Sequence, residues 1–210
     1  MKESRVTFKS GELTLEGMIA LPDGAGPHRA AVVCHPHPLY GGSMYNNVVD
    51  AALEALWARG FATLRFNFRG VGCSEGEFDN GQGEADDALA ALRFLTAEKG
   101  VNASGALLAG YSFGAATALR AAARTEAVAA IVAIAPPLGM MDPSALVAIS
   151  KPIVLIAGDQ DSYCPAKDLA ALAERLEPLA RLRIIAGADH FFGGRGHEIV
   201  AALGEALATL

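Results

Sequence analysis

A chain of 210 residues with a net charge of −6 and 52% hydrophobic side chains has room for one well-buried domain, expected to span residues 1–210. It is too apolar for disorder and lacks the basic stripe of a nucleic-acid binder. Cys34, Cys73 and Cys164 lie far apart without metal-ligand spacing, so no disulfide framework, metal site or cofactor is expected. No apolar leader follows Met1, and the longest apolar run, from Ala127 to Leu138, is short for a bilayer and carries Pro136 and Pro137. The expectation is a cytoplasmic protein with no membrane segment.

In chain order, two alternating stretches come first, Val6 to Lys9 and Leu13 to Ile19. Ser10-Gly11-Glu12 lies between them, the pattern of an antiparallel hairpin. A turn-rich loop from Pro22 to Pro27 precedes a buried strand at Ala30–Cys34. Residues 46–59 predict a helix with Val49, Leu53, Leu56 and Trp57 on one face, closed by Gly60. The pattern then alternates. Strands are expected at 61–66, 106–109, 127–134, 152–157 and 182–185, and helices at 84–97, 113–124, 166–179 and from about 197. A hairpin followed by repeated βα units implies an α/β fold, a mostly parallel sheet of about eight strands with helices on both faces. The short stretch between Pro136 and Lys151 leaves no space for a sizeable cap domain.

Gly110-Tyr111-Ser112-Phe113-Gly114 sits where a strand turns into an Ala-rich helix. A serine held at such a turn is strained, and glycines on either side remove Cβ atoms that would collide with it. Ser112 is therefore the candidate nucleophile, and the Phe113 amide, at the helix start, a candidate oxyanion donor. A hydroxyl needs a base, and the base an orienting acid, later in the chain. Of the two histidines beyond Ser112, His190 follows the last strand and His197 begins a helix, so His190 is favoured as the base. Gly158-Asp159-Gln160-Asp161 offers two carboxylates, with Asp161 favoured and Asp159 expected to stabilise its own turn. Asp142 comes too early, and Asp189 is adjacent to the histidine.

The second oxyanion donor is expected in the loop His35-Pro36-His37-Pro38-Leu39. Its prolines have no N–H, which leaves the His37 amide, with Leu39 second. Two imidazoles separated by one proline make a weak metal site, and His35 is expected to bond its own loop. Arg69-Gly70-Val71-Gly72 lacks the lysine of a phosphate loop and reads as a tight turn bordering the site. Tyr40, Phe78, Leu138, Met140, Met141, Tyr163, Phe191 and Phe192 fall on loops at the same sheet end. Of these, Tyr40, Met140, Tyr163 and Phe191 are the pocket candidates.

On these motifs, together with Gly41-Gly42, the Arg65–Gly72 segment and Gly187-Ala188-Asp189-His190-Phe191-Phe192, the chain resembles the α/β-hydrolase superfamily over nearly its whole length. More narrowly, it looks like the small, lid-poor bacterial hydrolases related to dienelactone hydrolase. The resemblance implies a serine esterase or thioesterase with Ser112, Asp161 and His190 as triad and the amides of Phe113 and His37 as oxyanion hole. Two departures matter. Many relatives have His-Gly where this chain has His35-Pro36. Dienelactone hydrolase has a cysteine where this chain has Ser112, so lactone chemistry does not carry over. The expected partner is a small-molecule ester or thioester, cleaved through an acyl-enzyme. A peptidase or amidase on the same triad and a non-catalytic binding protein are the alternatives.

Overall fold

The computed structural model describes residues 1–24, 26–141 and 150–208. Its centre is one eight-stranded sheet in the order β1-β2-β4-β3-β5-β6-β7-β8. β1 (Glu3–Ser10) and β2 (Leu13–Ala20) form the antiparallel hairpin. β2 continues antiparallel onto β4 (Ala62–Phe66). β3 (His28–Cys34), β4, β5 (Val101–Tyr111), β6 (Val128–Ile134), β7 (Ile153–Gly158) and β8 (Ala180–Ile185) are mutually parallel. β5 is longer than its apolar stretch predicts, because Val101 and Asn102 pair with His28 and Arg29 ahead of the buried part.

The helices are α1 (Asn47–Trp57), α2 (Gln82–Thr96), α3 (Phe113–Ala122), α4 (Ala166–Arg175) and α5 (Gly196–Leu207). The Asn46 side chain caps α1 by accepting the Val48 amide. From β3 the chain steps through α1 to β4 on one side, then through α2 back across to β5 on the other. Right-handed crossovers place α1 and α2 on opposite faces. Contacts agree: α1 packs with α5, and α2 with α3. α1 departs from the single apolar face expected of it. Val48, Ala51 and Ala55 are buried as well as Val49, Leu53 and Leu56, because α5 covers a second side. Trp57 is only half-buried, and its indole N–H donates to Thr63 Oγ1 at 2.8 Å.

Covered on both faces, the inner strands are continuous runs of small and branched apolar residues rather than alternating ones. Ala30–Cys34, Ala106–Ala109 and Ile153–Ala157 are buried throughout. Because β3 and β5 are neighbours while the chain leaves them in opposite directions, their carboxyl ends border the crevice where the strand order reverses. Open α/β sheets bind ligands in that crevice. The loops that meet there carry His37 and Ser112.

Candidate active site

Ser112 occupies the turn between β5 and α3 with φ 54° and ψ −121°, a left-handed conformation that costs a side-chain-bearing residue about 1–3 kcal/mol. Its amide is anchored on Ile134 O at 2.8 Å. The two glycines of the motif are required sterically. A Cβ on Gly110 would lie 2.1 Å from Gly114 O, and one on Gly114 would lie 2.3 Å from Cys34 O. Local sequence and tertiary packing therefore hold the serine in its strained turn together.

His190 and Asp161 converge on it from the loops after β8 and β7. His190 Nε2 lies 3.0 Å from Ser112 Oγ, and His190 Nδ1 lies 2.7 Å from Asp161 Oδ2. Asp161 is buried, and its Oδ1 accepts the amides of Tyr163 at 2.8 Å and Cys164 at 2.9 Å. Those bonds offset the loss of water around the carboxylate and aim its other oxygen at the imidazole. The Tyr111 hydroxyl donates to His190 O at 2.8 Å and so ties the histidine backbone to the strand that carries the serine. With Nδ1–H donating to the carboxylate, Nε2 is left as an acceptor for the serine proton. A hydroxyl, an imidazole and a carboxylate thus form one hydrogen-bonded chain, able to draw a proton from Oγ as Oγ attacks an electrophile.

The other carboxylates lie elsewhere. Asp159 stabilises the neighbouring loop instead of its own turn, accepting the Gly187 amide at 2.6 Å. Asp189 accepts the amides of Phe191 and Phe192 at 3.0 and 3.1 Å, which shapes the turn after His190. His197 is exposed, and Asp142 lies outside the described residues.

In the loop after β3, His37 Nδ1 accepts the Leu39 amide at 3.2 Å. Burial, partly opposed by Glu84, lowers the His37 pKa, which favours the neutral ring this bond requires. No described residue accepts from the His37 amide or from the Phe113 amide, the latter being at the first position of α3, where no intrahelical acceptor exists. Leu39, the second choice, already has its amide engaged. The His35 ring is engaged at both nitrogens: Nδ1 pairs with Pro36 O at 2.6 Å, and Nε2 accepts the Phe68 amide at 3.1 Å. Desolvation pushes its pKa down to about 4, with the Pro36 bond opposing. Both buried thiols, Cys34 and Cys164, have pKa values raised, first by burial and then by nearby carboxylates. Neither is an activated nucleophile.

Ser112 and His190 open onto a cavity of about 670 Å³. Tyr40, Met140, Tyr163 and Phe191 line it, as does Phe78. Leu138 and Met141 pack against the core instead, and Phe192 is fully buried within it. The expectation that Arg69–Gly72 borders the site fails, since none of these residues reaches the cavity. Arg69 is drawn away by a salt bridge to buried Asp87 at 2.8 Å. Sequence reading missed Ala116, Thr117 and Arg120, which line the same wall on α3. Their spacing from Phe113 is the signal: three, four and seven residues on, a helix returns to one face.

A family model described as X-Pro dipeptidyl-peptidase (S15 family) matches residues 11–163. An uncharacterized protein of Rickettsia prowazekii, RP471, is 39% identical over 98% of this chain and 89% of its own length. Among solved structures, an α/β serine hydrolase homologue from Coxiella burnetii is 34% identical with a TM-score of 0.86, covering 99% of this chain and 98% of the other. XC6422 from Xanthomonas campestris, described as an α/β serine hydrolase without lid, is likewise 34% identical, with a TM-score of 0.87 over 100% of this chain and 95% of the other.

Proposed function

Because the chain belongs to the X-Pro dipeptidyl-peptidase (S15) family of α/β hydrolases, we propose that it is a serine hydrolase that cleaves small carboxylic esters or thioesters. The observation that carries this reading is the unbroken chain from Ser112 Oγ through His190 to Asp161, at 3.0 and 2.7 Å, at the mouth of a cavity.

In this mechanism Ser112 Oγ attacks the carbonyl carbon while Nε2 of His190 takes its proton. Asp161 stabilises the imidazolium that forms. The oxyanion is received by the amides of Phe113 and His37, two donors that no described residue occupies. Nε2 then returns the proton to the leaving oxygen or sulfur, and the acyl group stays on Oγ. Water, deprotonated by the same nitrogen, releases the acid.

An ester is favoured over a dipeptidyl substrate by charge. An exopeptidase that counts residues from a free N-terminus needs carboxylates to hold its ammonium group. Among the described residues, neither Asp nor Glu lines the cavity. The reading is tested with short p-nitrophenyl esters, acyl thioesters and dipeptidyl anilides offered to the wild type and to Ser112→Ala. Ester or thioester turnover that vanishes in the variant, with fluorophosphonate labelling at Ser112, supports it. Equal rates in both proteins, or faster cleavage of the anilides than of the esters, reverses it.

A further inference from the structure

The lining residues of the cavity fall into two groups, or arms. Near His190 it is walled by aromatic rings, with Tyr163 and Phe191 packing on the imidazole at 4.8 and 5.7 Å between centroids. Protonation from Nε2 places the leaving group on this side. The other arm follows α3 past Ala116 and Thr117 to Arg120, which leaves this side for the acyl chain. At about 1.5 Å of rise per residue, Arg120 stands about 12 Å along the helix from Ser112.

Three observations meet at the far end of that arm. Arg120 has no carboxylate partner among the described residues: its Nη1 donates only to Asn80 O at 3.3 Å. Arg124, one turn further on, is paired with Asp86 at 2.5 Å. Gly81 is the seat of the guanidinium, since a Cβ there would lie 2.6 Å from Arg120 Nη1. In a chain of net charge −6, the described residues of the cavity wall include Arg120 and neither Asp nor Glu. Thr117, between Ser112 and Arg120, is buried in the same wall, with its Oγ1 unpartnered among the described residues. Buried hydroxyls are rarely left so.

We propose that the α3 arm is a subsite for acyl groups ending in a carboxylate, which Arg120 binds at the end distal to the scissile carbonyl. The substrates are then monoesters or monothioesters of dicarboxylic acids. The guanidinium fork matches a carboxylate bidentately. The proposal rests on Ser112 being the nucleophile, and its test separates the two ideas.

The rates to compare are kcat/KM for the p-nitrophenyl monoesters of adipate, suberate and sebacate against p-nitrophenyl hexanoate, octanoate and decanoate. The wild type is expected to prefer the carboxylate-ended chain at one or more lengths by about tenfold, the scale of a partly exposed charge-assisted pair. That preference should shrink at high salt. Arg120→Met is expected to bring the ratio near one and Arg120→Lys to retain part of it, while Arg124→Met, outside the cavity, leaves it unchanged. A wild-type ratio near one at all three lengths, or a preference that survives in Arg120→Met, overturns the proposal. Separately, calorimetry of suberate with Ser112→Ala reads the subsite without turnover. Binding that is lost on adding Arg120→Met supports the subsite even where the ester assays sink the nucleophile. No binding, with Ser112-dependent esterase activity intact, sinks the subsite alone.

Discussion

His35 and His190 occupy matching places in the fold, each in a loop leaving the carboxyl end of a parallel strand and each buried. They differ in what their nitrogens meet. His35 lies between a carbonyl and an amide, Pro36 O and Phe68 N–H, two neutral partners that need the neutral ring. His190 lies between a carboxylate and a hydroxyl, partners that welcome a proton at the moment the hydroxyl gives one up. One imidazole is a structural clip between two loops and the other is placed to carry a proton in the proposed reaction, and burial alone does not separate them. The polar atoms brought by neighbouring strands do.

The sharpest way to break this comparison is to remove the proposed proton-transfer pair. Ser112→Ala or His190→Ala is expected to lower kcat on an activated ester by on the order of 10⁶-fold, about 8 kcal/mol of barrier. A loss under tenfold in either would leave His190 no more functional than His35. Asp161→Asn comes next, at about 10⁴-fold, because the amide favours the wrong tautomer of His190. Stopped-flow acylation read beside circular dichroism separates this from unfolding, since a variant that retains near-native rates would leave Asp161 a loop anchor only.

His35 predicts an effect on stability. Its folded pKa, about 4, lies below the ordinary value of 6.5, so between these pH values the unfolded chain binds the extra proton. Stability from this residue is complete above about pH 6.5 and is lost as pH falls toward 4, by about 3 kcal/mol in all. Urea titrations at pH 7, 5.5 and 4.5 should show a gentler decline in His35→Gln than in the wild type over this window, although the variant starts lower. Identical slopes would mean that His35 is not the group being charged. The smallest effect belongs to Tyr111→Phe, which removes the hydroxyl on His190 O. It is expected to cost about 1 kcal/mol in thermal unfolding and less than tenfold in kcat, because the imidazole keeps both of its own bonds.

Much of this was legible in the chain. The hairpin, the alternation of strand and helix, and the serine turn are local patterns, and the neighbours of Ser112 in sequence are its neighbours in space. The order Ser112, Asp161, His190 was readable for the same reason, since each follows a strand. The loops that failed did so for want of a partner. Arg69–Gly72 reads as a turn at the site until Asp87, from α2, draws Arg69 aside. Asp159 reads as a self-bonded turn until the Gly187 amide arrives from the next loop. Leu138 and Phe192 read like Met140 and Phe191, yet the first two face the core.

By itself the sequence determined which segments are strands, which turn holds Ser112 and which residue types are available to it, because period, glycine placement and turn chemistry act over a few residues. Only the tertiary structure decided which histidine is clipped and which is poised, which aromatics line the cavity, and that Arg120 stands in a wall with no carboxylate among the described residues. Those outcomes depend on where separate strands bring their polar atoms, and strand order is set by burial across the whole sheet.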